Sequence, residues 1–305
     1  MKNDRYMKKT FTKVIILVYG FVLLLVCSAK AQDALLWKIY DNNSQDISYI
    51  YGTIHLKDKR VFTYTDTILS YLDSCDKLAL ELDLNPMNLF QYSNLMMLPD
   101  DITLNDIFEP DDLIVIKEVV KSITGMDFNT FKNLKPVVLL SLVMQYQLDG
   151  DMNFTLDEYL YQQGVEKSKE IIGLETVGEQ FALLETIPLD IIVDYLKNPG
   201  DEDEELELMI CDYLESNIDE LLCIMQKDKT MISLKEEFLD DRNRRMTDKI
   251  DKLLHESRIL IAVGAGHLPG KFGIINLLIQ KGYDVEPVIL RAPENLKCNG
   301  RGSMD

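Results

Sequence analysis

Histidine is scarce in this chain: three in 305 residues, beside one tryptophan and five cysteines. No Cys-x-x-Cys occurs, which argues against a thioredoxin-like redox pair and a cysteine-rich zinc site. Gly-x-Ser-x-Gly is missing, and with it the nucleophile elbow of the α/β hydrolases. His-Glu-x-x-His and the phosphate-cradling Gly-x-x-x-x-Gly-Lys-Ser/Thr are missing too. Gly264 and Gly266 follow an apolar run, but Pro269 stands where a dinucleotide fingerprint needs its third glycine and Gly270 comes one residue late. A nucleotide cofactor is therefore a poor match.

Positive charge is in short supply beyond the N-terminus. Residues 1–31 hold six Lys or Arg and one Asp; the remainder holds 26 basic and 50 acidic residues, a formal net of −24. Such a body repels phosphate backbones and anionic lipid and suits cations, so no nucleic-acid partner is expected. Residues 1–31 read as a signal peptide: Lys2, Arg5, Lys8, Lys9 and Lys13, then an apolar stretch from Val14 to Val26, then Ala29-Lys30-Ala31 before Gln32. That order of charge, apolar run and small residues is what a signal peptidase reads. The expectation is cleavage after Ala31 and an extracytoplasmic product, periplasmic or secreted. Lipidation at Cys27 and a retained anchor are the alternatives, and a membrane partner is expected only through one of them. Export would permit disulfides among Cys75, Cys211, Cys223 and Cys298. Cys211 and Cys223 could pair across a helix bend; buried free thiols are the competing reading.

Apolar patterning predicts an α/β fold. Its central mixed sheet comes from the N- and C-terminal segments, with a large, mainly helical insertion over 88–252, all within one domain over 32–305. Leu35–Tyr40 and Ile47–Ile54 read as paired strands around a polar turn at 41–46, Val61–Leu72 as a helix, and Leu78–Leu84 as a strand with a charge inside it. In the middle, Asp111–Ser122, Leu134–Leu148, Leu156–Gln162 and Gly178–Leu196 carry apolar residues at helical spacing. Glu170–Leu174 is the one short strand there, and Asp201–Glu207 an acidic helix start. Arg258–Val263 is a strongly apolar strand, Pro269–Gly270 opens a helix that Gly282 caps, and Val285–Leu290 is the last strand.

The three histidines are unequal. His55 ends Tyr51-Gly52-Thr53-Ile54-His55 and His267 ends Gly264-Ala265-Gly266-His267, so both follow the form strand, Gly-x-x-His. The carboxyl ends of strands are where open α/β sheets place ligands. His255 sits late in a helix and reads as structural or exposed. Glu81 interrupts an apolar strand, a costly place for a carboxylate unless it is paired, protonated or metal-bound. Two imidazoles and a carboxylate suit a divalent metal, zinc, manganese, cobalt or iron, with an edge-strand glutamate facing solvent as the plain alternative. Glu175 and Gln180 follow the short middle strand, as a general base or a partner to a histidine, or simply as a capping region with Thr176 and Glu179. Arg242, in a basic patch with Arg244 and Arg245, is a candidate oxyanion stabiliser or a counter-charge to the acids around it.

Taken in order, Leu36-Trp37-Lys38-Ile39, Tyr51-Gly52-Thr53-Ile54-His55, Leu80-Glu81-Leu82-Asp83, Gly173-Leu174-Glu175-Thr176 with Glu179-Gln180, Arg242-Asn243 with Met246, and Val263–Gly270 resemble the TraB/GumN family over nearly the whole region after residue 31. That group is similar to the Tiki metalloproteases, which trim secreted Wnt signals, and in fold to erythromycin esterases and a haem-binding iron-regulated lipoprotein. The resemblance implies that His55 and His267 hold a metal with Glu81 or Glu175 nearby. One stretch departs from the family's pattern: Asp149–Phe154 precedes Leu156-Asp157-Glu158-Tyr159-Leu160 where members carry a different glycine-containing segment.

Two functions follow. The first is a metal-dependent hydrolase acting on a peptide or small ester, Arg242 or Gln180 steadying the oxyanion and Glu175 taking the water's proton. The second is a non-catalytic binder of haem or another metal complex, using His55 with Tyr51 or Tyr49. Beyond the substrate, the partners left open are a second copy of the chain, as a homo-oligomer, and a membrane if Cys27 is lipidated or the signal is retained.

Overall fold

The computed structural model describes residues 33–41, 46–148, 150–200, 203–225 and 236–296. The expected signal segment with Cys27, the middle of the 41–46 turn, Cys298 and the C-terminal tail lie outside them.

Six strands among the described residues form one mixed sheet: β1 (Leu36–Tyr40), β2 (Ile47–Thr53), β3 (Lys77–Leu82), β4 (Glu170–Glu175), β5 (Ile259–Gly264) and β6 (Asp284–Val288), in the order β4-β3-β5-β2-β1-β6. β1 pairs antiparallel with both β2 and β6, whereas β2, β5, β3 and β4 are parallel neighbours. β5 is central and its first five residues are buried. Its unbroken apolar run is what a parallel strand covered on both faces requires. The register sets Thr53 beside Gly264 and Leu82 beside Glu175, so the ends of four parallel strands come level. The sheet is thus built from both ends of the chain, with one edge strand, β4, from the helical insertion.

The helices are α1 (Thr65–Asp73), α2 (Pro86–Gln91), α3 (Leu104–Ile107), α4 (Pro110–Thr124), α5 (Pro136–Gln147), α6 (Leu156–Glu166), α7 (Val177–Leu184), α8 (Leu189–Lys197), α9 (Asp203–Leu214), α10 (Ile218–Met225), α11 (Asp241–Leu254) and α12 (Ile274–Gln280). Their starts are written in the sequence. Proline opens α4 and α5, where its missing N–H costs nothing. Thr155 with Glu158 and Thr176 with Glu179 form capping boxes at α6 and α7. Two cores result. Leu156, Tyr213, Leu221 and Met246 from α6, α9, α10 and α11 join the core around the sheet, while Phe108, Ile116, Leu139, Phe181 and Leu196 build a second one among α3, α4, α5, α7 and α8. Among the described residues no helix is long and apolar enough to cross a membrane.

Three local expectations are corrected. The helix expected over 178–196 is two, because Pro188 lacks a donor and caps α8 instead. The helix expected at Pro269 starts at Ile274, after Gly270 turns the chain with φ 87°. Cys223 is a free thiol, so it does not pair with Cys211, which is disulfide-bonded; Cys75 is also free.

Candidate functional site

The two Gly-x-x-His segments lie on adjacent strands, and their glycines have packing reasons. A Cβ on Gly52 would stand 2.9 Å from Leu268 Cδ1 and 3.0 Å from Ala265 Cα, so only glycine lets the short turn Ala265–His267 press against β2. A Cβ on Gly264 would stand 3.2 Å from Glu81 Oε1. Without one, the Gly264 N–H donates to that oxygen at 2.7 Å.

His267 is buried, its side chain 7% exposed. Its Nδ1 lies 2.5 Å from Asn243 Oδ1. The amide nitrogen of Asn243 donates to the Phe272 carbonyl at 2.9 Å, which fixes the orientation of the amide. The oxygen facing His267 can only accept, so Nδ1 carries the proton. Burial pushes the imidazole's pKa down, leaving the ring neutral. Nε2 is then a bare lone pair, and it stands 3.6 Å from Glu81 Oε1.

Glu81 and Glu175 share one arginine. Arg242 Nη2 donates to Glu81 Oε2 at 2.8 Å and to Glu175 Oε2 at 2.6 Å, and Nε reaches both Glu175 oxygens at 3.0 Å. Gln180 Nε2 spans the same two carboxylates, at 3.1 Å to Glu175 and 3.4 Å to Glu81. Glu175 is 3% exposed and Arg242 13%. Burial raises the Glu81 carboxyl, but His267, Arg242 and the Gly264 amide together hold it below the usual carboxylate range. The expected residues Glu81, Glu175, Gln180, Arg242 and His267 therefore form one connected cluster at the strand ends.

His55 lines a cleft shared with Glu81 and Gln180 of this cluster. The cleft holds about 250 Å³ and is lined by His55, Glu81, Asp157, Gln180 and Gly264, among others. The His55 side chain is 71% exposed, with Nδ1 3.5 Å from Asp157 Oδ2. Asp157 beside it raises its pKa. Asp157 went unsingled in the sequence because nothing distinguishes it from an ordinary acid in a first helical turn. Asn243 was visible only as the neighbour of Arg242. His255 sits at the other end of β5, between Asp41 at 3.6 Å and Asp251 at 3.8 Å, and takes no part. Tyr51 is fully buried with its hydroxyl 2.5 Å from that of Tyr213, and Tyr49 packs on Tyr71 with ring centroids 4.5 Å apart. Both tyrosines are committed to the core.

Do these residues fit a metal? Among the described residues no group of three His, Cys, Asp or Glu side chains stands ready to hold an ion. Two of the donors do fit. A neutral imidazole lone pair and an ionised carboxylate, both acceptors, face one another at 3.6 Å. Two ligands each about 2.0–2.2 Å from one tetrahedral ion stand roughly 3.3–3.6 Å apart.

Comparison with known proteins adds to this geometry. A protein named metalloprotease TIKI homolog, from Amphimedon queenslandica, is 26% identical over 322 residues, covering 85% of this chain and 62% of that protein. Metalloprotease TIKI2 of Danio rerio is 23% identical, covering 85% and 62%, and metalloprotease TIKI1 of the same organism 22%, covering 78% and 60%. The chain thus spans about three fifths of the length of the curated relatives it matches. No solved structure matches it. A family model does, from residue 35, just ahead of β1, to residue 287 within β6, and the match takes in both Gly-x-x-His segments and the carboxylates between them: the chain belongs to the TraB/PrgY/gumN family.

Proposed function

We propose that this chain is a metal-dependent hydrolase acting on a peptide or ester bond, with His267, Glu81 and His55 as the ligands of a divalent ion. The observation that carries the reading is the Nε2 lone pair of His267 turned on the Glu81 carboxylate, an arrangement that repels unless a cation or proton lies between. The names of the relatives support it. His55, which lines the same cleft with its side chain 71% exposed, is the third ligand of this reading. A divalent ion there supplies the Lewis acidity that activates water and polarises a carbonyl.

The remaining roles belong to the chain's own side chains. Asn243 keeps the proton on His267 Nδ1, and Arg242 with the Gly264 amide keeps Glu81 ionised. Gln180 lines the cleft and donates toward it, which makes its amide the donor best placed to steady an oxyanion. Arg242 adds positive charge behind it. Glu175 accepts from Arg242 and Gln180 at once, and we assign it chiefly to holding them; as a proton acceptor it would have to release Arg242.

Elemental analysis and titration calorimetry on the purified protein test the metal. One ion per chain is expected in the wild type and in His255→Ala, and none in His55→Ala or His267→Ala. Failure of zinc, manganese, cobalt and iron alike to bind the wild type overturns the reading. We further propose that the chain is exported and cleaved after Ala31. N-terminal sequencing of the native product should begin at Gln32; a soluble product beginning at Met1 overturns export.

A further inference from the structure

We propose that Asp157 is the positioning residue of His55: it holds the ring as the Nδ1–H tautomer, so that Nε2 is presented to the cleft as a lone pair. The inference rests on the reading of His55 as a ligand and deepens it. It also gives α6, part of the helical insertion, a share in a site otherwise built at the ends of the strands.

The carboxylate of Asp157 is fixed before His55 is considered. The hydroxyl of Thr53, a residue 2% exposed, donates to Oδ1 at 2.6 Å. That bond ties the acid to the last residue of β2, two positions from His55. The backbone beneath Asp157 is equally constrained. Thr155 and Leu156 are buried, and the Thr155–Glu158 capping box closes the first turn of α6, with Thr155 N–H donating to Glu158 Oε2 at 2.8 Å. Glu158 also lines the cleft but spends its carboxylate on the cap, whereas Asp157 turns one oxygen to Thr53 and the other toward His55. Its Oδ2 is the oxygen nearest His55, 3.5 Å from Nδ1, a gap that the exposed ring has room to close.

An ionised carboxylate only accepts, so the ring nitrogen facing it carries the hydrogen. Imidazoles that bind metal are commonly held in this way, with the second nitrogen donating to a carboxylate or amide oxygen. Asn243 does the same for His267 from α11. The two histidines then resemble each other in a respect the sequence does not show. Each turns its Nδ1–H to an acceptor on a helix and keeps Nε2 for the cleft.

A purely structural role for Asp157, as an acid favoured near a helix N-terminus, predicts no effect on the tautomer of His55. The test uses metal-free, ¹⁵N-labelled protein and long-range ¹H–¹⁵N correlation spectra of the histidine rings, at a pH where they are neutral. With three histidines the spectrum is simple, and His255 serves as an internal control. His55 should be Nδ1–H in the wild type. In Asp157→Asn the amide can still accept from Thr53 and can turn its NH₂ to the ring, which should shift His55 toward Nε2–H. Thr53→Val should shift it part of the way by releasing the carboxylate. A wild-type His55 in the Nε2–H form, or no change in Asp157→Asn, overturns the proposal. Calorimetry with zinc on the same samples separates this from the functional reading. If the wild type binds zinc, Asp157→Asn should weaken it by about 10–100-fold. If the wild type binds no metal while the tautomers behave as described, the positioning stands and the metal reading falls.

Discussion

Replacing Arg242 with methionine should destabilise the protein by about 3–5 kcal/mol at pH 7, the usual cost of removing one partner from a buried ion pair. The reason is the sharing of one guanidinium between two acids. Methionine fills much of the volume but leaves Glu81 and the almost fully buried Glu175 without their cation. Arg245, 3.8 Å from Glu175, takes up part of that charge and favours the low end of the range. The loss should also depend on pH, with a sign that can be stated. The wild-type Glu81 carboxyl is held below its usual range, so its contribution is present above the unfolded value, about 4.3, and is lost as pH falls through the folded value. In the variant, burial acts on Glu81 with Arg242 gone, and acid relieves the penalty. Urea unfolding at pH 7 and again near pH 4 should therefore show the gap between the two proteins narrowing on acidification. A loss below about 1 kcal/mol, or one that ignores pH, would mean that the carboxylates are not held by this arginine.

Asn243→Ala should cost about 2–4 kcal/mol. It removes two buried hydrogen bonds at once and leaves both partners, the Phe272 carbonyl and the His267 N–H, without a substitute. Asn243 is 1% exposed, so water does not readily replace it. The second consequence is local. With its acceptor gone, His267 no longer has a reason to keep its proton on Nδ1, and Nε2 ceases to be a dependable lone pair facing Glu81. Chemical denaturation measures the first effect and the ring ¹⁵N shifts of His267 the second. Asn243→Asp tells them apart: it keeps an acceptor for His267 but sets a carboxylate oxygen against the Phe272 carbonyl, so it should retain the tautomer while losing stability. If Asn243→Ala leaves the His267 ring spectrum unchanged, the tautomer is set by something other than Asn243.

The parts of this site that could be read from the sequence are those in which a residue contradicts its own neighbourhood. Glu81 stands out in an apolar strand, and His55 and His267 stand out because each closes a strand through a glycine. Such conflicts are local and survive without a structure. The partners of these residues are not local. Arg242 meets Glu81 across 161 positions and Glu175 across 67, on a helix whose charged sequence reads equally well as a solvated face. Asp157 lies 104 positions from Thr53 and looks like any acid in a first helical turn. The fold divides in the same way. Periodicity found the strands at both ends and most of the helices, while β4 could be seen as a strand but not as the edge of the sheet. Pro188 is a break inside an apolar pattern, and its missing N–H outweighs the periodicity around it.

The place of β5 in the sheet has a consequence for how the molecule comes into being. β5 lies between β3 and β2, yet it is made after both of them and after α1 to α11. Ile259 N–H donates to Ser48 Oγ across 211 positions. Without β5, β1 with β2 and β3 with β4 are two separate strand pairs that share no edge. Contacts of such sequence separation are slow to form and leave apolar strands exposed meanwhile. His55 and Glu81 belong to different pairs, and His267 follows β5 itself. The cleft therefore comes together only once β5 has joined the two pairs. A chain cut shortly before residue 259 would lose the centre of the sheet.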